Sequence, residues 1–185
     1  MDIFEQKKTQ RARAYVRRAV LHAQGAGAAD RAADFVLDYV SGAVVSAYLP
    51  IRSEIDPRPA MLALHDNGHS ICVPVIQGAR LPLRFRQWTP GCRLLAGPFG
   101  AAVPVEGAWL EPDLLLVPLL AFDSLLFRLG YGGGFYDRTL AGLRAERSIV
   151  AAGFAYAGQR VDNVAINAFD QRLDAVITEN GIFHS

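Results

Sequence analysis

Three short, largely apolar segments constrain the fold of this chain more than any other feature. They read AVVSAYL at 43–49, SICVPVI at 70–76 and DLLLV at 113–117, and Pro50 ends the first of them. Segments this short, apolar at successive positions, are typical of strands that are buried on both faces of a parallel sheet. Helical segments lie between the strands along the chain. This alternation predicts an α/β fold, with a mostly parallel sheet flanked by helices on both faces.

The remaining elements are predicted from apolar periodicity and from turn residues. The chain has 185 residues, the length of one ordinary domain, and we expect residues 1–185 to fold as a single unit. In a parallel sheet the ligand lies outside the carboxyl ends of the strands, so the loops after Leu49 and Val117 are the first candidates for a site. The Pro- and Gly-rich segment 89–112 has no clear assignment. Helices are predicted over 3–23, 28–40, 57–65 and 135–145, and further strands over 81–88, 148–154 and 174–178.

The first predicted helix carries a basic stripe. Residues 1–24 contain six Lys or Arg residues against two acidic ones, although the whole chain has a net charge of only +1. At 100° per residue, Lys7, Arg11 and Arg18 lie within about 40° of one another. We expect the opposite, apolar face to pack on the core and the stripe to contact a small anion. The predicted apolar face consists of Ala12, Val16, Ala19, Val20 and Ala23.

The segment 128–138, RLGYGGGFYDR, follows a predicted buried strand and begins a predicted helix. Four glycines in five positions allow a tight turn that brings backbone N–H groups to a phosphate, and the helix N-terminus adds a positive dipole end. The segment is not a Walker A loop, because no GK[ST] follows. It is not the dinucleotide fingerprint either, because Phe135 stands at the third glycine position. The flanking Arg128 and Arg138, with Asp137 as a possible magnesium ligand, favour a phosphate site over a turn without a ligand.

Composition and cysteine usage narrow the cellular setting. No run of about 18 uninterrupted apolar residues occurs, and no apolar segment follows the basic N-terminus. Cys72 and Cys92 stand alone without a CxxC pair, as in a reduced cytosolic protein. We therefore expect a cytoplasmic monomer with small-molecule substrates, without a membrane partner. A nucleic-acid partner is not expected, because the chain lacks a broad basic surface with interleaved aromatic residues.

Several sequence blocks, in order, resemble the 5-formyltetrahydrofolate cyclo-ligase family, also called methenyltetrahydrofolate synthetase. They are a basic first helix with Lys and Arg four apart, a strand ending in YLP, the pair VPLLAFD and RLGYGGGFYDRTLA, and the terminal LDAVITENG. The resemblance covers nearly the whole chain. It implies an enzyme that uses ATP and Mg²⁺ to convert 5-formyltetrahydrofolate into 5,10-methenyltetrahydrofolate, releasing ADP and phosphate. In the implied reaction the formyl oxygen attacks the terminal phosphate, the anilino nitrogen closes on the activated carbon, and phosphate leaves.

The resemblance also implies which residues contact the two substrates. Lys7 and Arg11 match the family's N-terminal residues that reach the ATP phosphates. Leu49 and Glu54 match positions that contact the folate, and a carboxylate at Glu54 would accept hydrogen bonds from pterin N–H groups.

The glycine loop and two carboxylates complete the implied site. Asp137 and Asp170 match the magnesium-associated carboxylates, and we expect Arg128, Tyr131 and Asp137 to be catalytic. Folate binding is assigned within the same loop to Tyr131, Gly132, Gly133, Gly134 and Phe135. ATP binding is assigned to Arg128, Leu129, Gly130, Tyr131, Gly132, Gly133, Gly134, Phe135 and Tyr136.

Other functions stay open from the sequence alone. A non-catalytic folate- or nucleotide-binding module would keep the pocket and lose the magnesium carboxylates, and the presence of Asp137 argues against it. A related ATP-dependent enzyme would act on another formyl-bearing heterocycle. Three aromatic residues, Trp88, Phe99 and Trp109, are candidates for the core or the pocket wall, and one of them could stack on a pterin.

Overall fold

The structure is a computed structural model that describes residues 2–40, 42 and 44–184. Ala43, the first residue of the predicted strand 43–49, and the ends of the expected single unit, Met1 and Ser185, lie outside the described residues. The helices are α1 (Ile3–Gln24), α2 (Ala28–Tyr39), α3 (Arg58–Asp66) and α4 (Phe135–Glu146). The strands are β1 (Val44–Ser46), β2 (Ser70–Ile76), β3 (Leu83–Trp88), β4 (Leu94–Ala96), β5 (Ala102–Pro104), β6 (Trp109–Leu110), β7 (Leu114–Pro118), β8 (Ala121–Phe122), β9 (Arg128–Leu129), β10 (Val150–Phe154), β11 (Ala175–Thr178) and β12 (Gly181–Phe183).

The predicted helices and strands are confirmed, and most of their ends agree closely. The main difference is β1, which is shorter than the predicted 43–49. The Ala47 N–H still donates to the Cys72 carbonyl at 2.9 Å, but Tyr48 and Leu49 lie beyond the strand at its carboxyl end. The chain leaves the sheet there because the next residues form the loop that leads to α3.

The eight strands of the main sheet follow the order β12-β11-β10-β7-β1-β2-β3-β6. The central strands β11, β10, β7, β1 and β2 run parallel to their neighbours in this group. Antiparallel strands lie at both edges: β12 at one edge, and β3 and β6 at the other. All five residues of β7 are buried. The mostly parallel sheet is therefore confirmed, and the apolar DLLLV segment lies at its centre.

Helices cover both faces of the sheet, as predicted. Leu114 and Leu116 of β7 pack in a cluster with buried residues of α2 and α3, such as Val36 and Met61. Leu115 and Val117 point to the other face, where they pack with Leu140 of α4. The alternation arises because successive side chains of a strand point to opposite faces.

The prediction for the packing of α1 is wrong. Its predicted apolar face is turned to solvent, with Val16 68% and Val20 49% exposed, whereas Lys7 and Arg18 of the basic stripe are buried. The buried face meets acceptors from distant parts of the chain, namely the Asp170 carboxylate for Lys7 and the Tyr131 hydroxyl for Arg18. Burial of the small Ala and Val side chains would stabilise the fold less than unpaired buried acceptors would destabilise it.

Two hairpins were not predicted from the sequence. In the unassigned segment 89–112, β4 and β5 pair antiparallel, and Phe99 lies between them with a φ of 59°. The second hairpin, β8–β9, directly precedes the glycine loop. Of the helices that the structure describes, none combines the length and the apolar character needed to cross a bilayer.

Candidate active site

The glycine loop, residues 130–134, connects β9 to the start of α4. Gly134 precedes the helix with a φ of 65°, and Gly132 has a φ of 101°, so both occupy backbone conformations that favour glycine. Among the described residues, no protein group accepts a hydrogen bond from the backbone N–H groups of Gly132, Gly133 and Gly134. The loop therefore presents unpaired N–H donors at a helix N-terminus, an arrangement suited to an anion.

Three arginines surround this loop. Arg11 of α1 donates from Nε to the Gly130 carbonyl at 2.9 Å, and Arg138 of α4 donates to the Gly133 carbonyl at 2.8 Å. Arg128 of β9 pairs with Asp137, at 2.7 Å between Nη2 and Oδ1. The structure thus brings the predicted residues Arg11, Arg128 and Asp137 together, although they come from three different elements.

The two predicted magnesium carboxylates belong to neighbouring segments. Asp137 Oδ1 accepts the N–H of Gln171 at 3.0 Å, and Gln171 directly follows Asp170. Asp170 Oδ2 lies 2.5 Å from the Lys7 ammonium, and both side chains are largely buried. The second oxygen of each carboxylate, Oδ2 of Asp137 and Oδ1 of Asp170, accepts no hydrogen bond from any residue that the structure describes.

This donor set suits Mg²⁺ better than a metal held entirely by protein. Within the described residues, no group of three or more His, Cys, Asp or Glu side chains could hold a metal ion. Mg²⁺ keeps several waters and binds through one or two carboxylates together with substrate phosphates. The unpaired oxygens of Asp137 and Asp170 next to the glycine loop fit that mode of binding.

A cavity of about 310 Å³ opens beside the glycine loop. It lies at the carboxyl ends of β1 and β7, since Leu49 and Pro118 both line it, and its wall is mainly apolar. This is the position predicted from the sheet topology. Gly132 and Gly134, which were also predicted to contact the folate, do not line it. The predicted folate and loop residues that do line it are Leu49, Glu54, Tyr131, Gly133, Phe135 and Tyr136.

Glu54 is the buried acid of this cavity, with an exposed fraction of 4%. Its Oε2 accepts the Ile51 N–H at 2.8 Å, and its Oε1 accepts the Tyr131 hydroxyl. Burial raises the pKa of Glu54, while the hydrogen bonds from Tyr131 and Ile51 and the charges of Arg18 and Arg52 act in the opposite direction. The cavity therefore combines an apolar wall with one carboxylate whose pKa is raised by burial, an effect that two hydrogen bonds and two cations oppose.

The hydroxyl of Tyr136 is also available to a ligand. It is buried without a hydrogen-bond partner in the described part of the chain, and Tyr136 is one of the residues that line the cavity. Burial raises the pKa of this hydroxyl far above its ordinary value, so the group stays protonated and can donate. A buried polar group without a partner is uncommon in a folded protein, and a ligand would satisfy it.

The structure separates the three candidate aromatic residues. Phe99 lines the cavity, and Trp88 is buried in the core. Trp109 lies on the edge strand β6, with the Arg84 guanidinium 4.3 Å from its ring centroid. Of the three, only Phe99 is placed to contact a ligand in this cavity.

Sequence reasoning missed the part that Arg18 plays at the site. Its guanidinium lies 3.8 Å from the Glu54 carboxylate and donates to the Tyr131 hydroxyl. Its position on the stripe with Lys7 and Arg11 was the available signal. Nothing local to α1 indicates that this arginine meets a carboxylate more than thirty residues away.

Comparisons with known proteins show the family to which the chain is related. The model of the "5-formyltetrahydrofolate cyclo-ligase family" matches residues 5–179. The chain is similar to the 5-formyltetrahydrofolate cyclo-ligase of Mycolicibacterium smegmatis, with 35% identity over 153 residues, 75% of each chain. It is also similar to that of Escherichia coli K12, with 29% identity over 176 residues, 90% of this chain and 96% of the relative.

A solved structure extends the likeness to the fold. The NMR structure of Aquifex aeolicus 5,10-methenyltetrahydrofolate synthetase superposes with a TM-score of 0.76 and 26% sequence identity. The match covers 96% of this chain and 92% of the other.

Proposed function

The chain belongs to the 5-formyltetrahydrofolate cyclo-ligase family, and from this premise we propose how its residues carry out the reaction. It is an enzyme that converts 5-formyltetrahydrofolate to 5,10-methenyltetrahydrofolate, as its relatives' names state. We propose that ATP drives the conversion and that ADP and phosphate are released. The observation that carries this assignment is the glycine loop with unpaired N–H groups, which directly borders an apolar cavity with one buried acid.

In this proposal the glycine loop holds the phosphates of ATP. The N–H groups of Gly132–Gly134 point their dipoles at the phosphate oxygens, and the N-terminus of α4 adds to the positive potential. Lys7 and Arg11, on the buried face of α1, supply cationic charge from the other side of the loop. Phosphoryl transfer depends mainly on positioning and on charge stabilisation, which this arrangement provides.

Asp137 and Asp170 would hold Mg²⁺ through their unpaired oxygens. The ion, when bound, neutralises charge on the phosphates and favours attack on the terminal phosphorus. Lys7 and Arg128 fix the orientation of the two carboxylates, because each cation pairs with one of them.

The folate ring is proposed to lie in the apolar cavity. Glu54 accepts pterin N–H groups there, and the Tyr136 hydroxyl donates to a substrate oxygen. The formyl oxygen then attacks the terminal phosphorus at the adjoining loop, and ADP leaves. The folate's anilino nitrogen attacks the activated carbon and loses its proton to solvent, and the former formyl oxygen leaves as part of phosphate. The apolar wall keeps water from the activated carbon, which would otherwise be hydrolysed.

We further propose that the enzyme acts in the cytoplasm as a monomer and that residues 1–185 form one folded unit. Two lone cysteines support a reducing compartment. Both substrates are small molecules, and the proposed contacts to them all come from one chain.

The direct test is an assay with ATP, Mg²⁺ and 5-formyltetrahydrofolate, in which the absorbance of methenyltetrahydrofolate and the release of ADP are followed together. We expect both products in equal amounts, and neither when any one component is omitted. ATP binding without product formation would instead support a non-catalytic binding module. Turnover of ATP with another formyl-bearing heterocycle, and none with the folate, would support the related-enzyme alternative.

A further inference from the structure

We propose that Arg18 is a positioning residue that keeps Glu54 an acceptor for the folate ring at neutral pH. The inference rests on the proposed function for the identity of the ligand. Its physical basis is a buried chain of contacts in which Arg18 donates to the Tyr131 hydroxyl and the Tyr131 hydroxyl donates to Glu54.

Arg18 is fully buried, with an exposed fraction of 0%. Its Nε donates to the Ser53 hydroxyl at 3.2 Å, and its Nη1 lies within 3.5 Å of the Leu119 carbonyl. Its Nη2 has no hydrogen-bond partner in the described part of the chain. The guanidinium is thus held firmly by its other nitrogens but is incompletely satisfied.

The desolvation of Arg18 is an energetic cost. Burying an ion pair costs desolvation that the pair often fails to recover, and an unpaired N–H group adds to that cost. Replacing Arg18 alone by an apolar side chain would leave the Glu54 carboxylate, 3.8 Å away, buried without this cation. The contact with Glu54 is therefore the part of this arrangement that bears on the ligand site.

The contacts fix the direction in which the Tyr131 hydroxyl donates its proton. Its oxygen accepts a hydrogen bond from Arg18, so its one proton points to Glu54 Oε1. The guanidinium carbon also lies 5.4 Å from the centroid of the Tyr131 ring, which fixes the ring in place. Glu54 receives a donor at each oxygen and keeps the remaining lone pairs for a ligand.

Several other groups act on Glu54 from the surrounding elements. Arg52, in the loop after β1, adds a second positive charge, and the hydroxyls of Tyr48 and Tyr136 lie near the carboxylate. Burial raises the pKa of Glu54, and Arg18 opposes that effect. Without Arg18 the acid would take up a proton at higher pH. Protonated Glu54 would be a donor on one oxygen and would lose part of its attraction for pterin N–H groups.

The test compares Arg18→Met and Arg18→Lys with the parent enzyme over a range of pH from acidic to mildly alkaline. Binding of 5-formyltetrahydrofolate is measured calorimetrically without ATP, and KM is measured separately for each substrate. In Arg18→Met we expect the loss of folate affinity at acidic pH to move upward by about 1–3 pH units, the range for an opposite charge at this distance. The KM for ATP should not change, and Arg18→Lys should restore most of the parent profile.

Two further variants separate this role from general damage. Arg17→Met is the matched control, because Arg17 is exposed and, among the described residues, donates a hydrogen bond only to the Arg160 carbonyl. The pH profile of its folate affinity should equal that of the parent. Glu54→Gln removes the titrating group, so adding Arg18→Met to it should cause no further pH shift. If Arg18→Met does not fold, Tyr131→Phe tests the same chain of contacts. The loss of folate affinity at acidic pH should again begin at a higher pH.

An unchanged folate profile in Arg18→Met, or equal changes for folate and ATP, would overturn the proposal. If Tyr131→Phe is used in its place, an unchanged pH dependence of folate affinity would likewise overturn the proposal. Because the binding measurement needs no turnover, it remains informative if the enzyme lacks the proposed activity. Absence of turnover with a pH-dependent folate affinity would count against the proposed function and not against the role of Arg18.

Discussion

At the scale of single residues, the site depends on charges that are paired with their opposites before any substrate binds. Asp137 is held by Arg128, and Asp170 by Lys7, at 2.7 Å and 2.5 Å. Each pair leaves one carboxylate oxygen for a further ligand. Such pairing fixes the orientation of the acids, so little reorganisation is needed when a divalent ion and a phosphate bind.

Asp137→Asn tests this arrangement. Asparagine keeps the size of the side chain and can still accept the Gln171 N–H, but it lacks the charge that a divalent ion needs. We expect turnover to fall at least about tenfold, equivalent to about 1.4 kcal/mol of barrier, with the protein still folded. The measurement is kcat as a function of Mg²⁺ concentration. Asp34→Asn, at an exposed position of α2, is the control. Normal turnover of Asp137→Asn at limiting Mg²⁺ would mean that the metal is held elsewhere.

At the scale of elements, α1 and the glycine loop work as one unit. Arg11 of α1 bonds to the backbone of the loop, and Lys7 of α1 bonds to Asp170 beside it. The basic face of the helix therefore lies against the glycine loop, on the side where we propose that ATP binds. The exposed apolar side chains of α1 take no part in these contacts.

Lys7→Ala should weaken ATP binding by about 1.5–3 kcal/mol, the range for a hydrogen bond to a charged group. This corresponds to a loss of affinity of roughly ten- to a hundredfold, measured by calorimetry. Lys8→Ala is the matched control, because the Lys8 side chain is 75% exposed and pairs with Glu5 of the same helix at 3.6 Å. Equal ATP affinities of Lys7→Ala and Lys8→Ala would show that Lys7 does not contact the nucleotide.

Gly133→Val should abolish nucleotide binding through the loop itself. A Cβ at this position would lie 2.7 Å from the Phe135 ring, so either the ring or the loop must move. A β-branched side chain would also crowd the N–H groups of the loop. Gly142→Ala, in α4, is the control, since a Cβ there meets nothing within 4 Å. It should bind ATP normally and gain about 0.5–1 kcal/mol of stability. Normal ATP binding by Gly133→Val would show that phosphate lies elsewhere.

At the scale of the whole molecule, the central parallel strands place the cavity of the candidate site at their carboxyl ends. The parallel strands β1 and β7 lie side by side, and Leu49 after β1 and Pro118 at the end of β7 both contribute to the cavity wall. The fully buried β7 is the rigid centre, because it packs against helices on both faces. Rigidity at the centre holds the loops in a fixed relation to one another.

Leu116→Ala should therefore destabilise the whole protein. Leu116 is 0% exposed, and removing such a side chain costs about 2–5 kcal/mol of the free energy of unfolding. Leu125→Ala is the control, because Leu125 is 60% exposed and its truncation should change stability by less than about 0.5 kcal/mol. Urea denaturation measures both. A similar, small effect of the two substitutions would contradict a central role for β7.

Much of the fold could be predicted because its signals are local. The apolar run of β7 and the turn residues around α3 depend on neighbours within a few positions, and those elements were confirmed. The β8–β9 hairpin was missed because its strands have two residues each, too few for a periodic pattern. For the site, the glycine loop was recognisable from four glycines, but the pairing partners of Asp137 and Asp170 were not.

The α/β class, the order of the elements and the resemblance to the family all follow from patterns in the amino-acid chain alone. Which face of α1 is buried, and which acid Arg18 contacts, depend on how the chain packs in three dimensions. A helix with both an apolar and a basic face buries the face that gains more free energy from its contacts, and the residues that make those contacts lie far along the chain. For Lys7 the partner is Asp170, 163 positions away. No pattern within the helix predicts this contact, because Asp170 comes close to Lys7 only when the chain has folded.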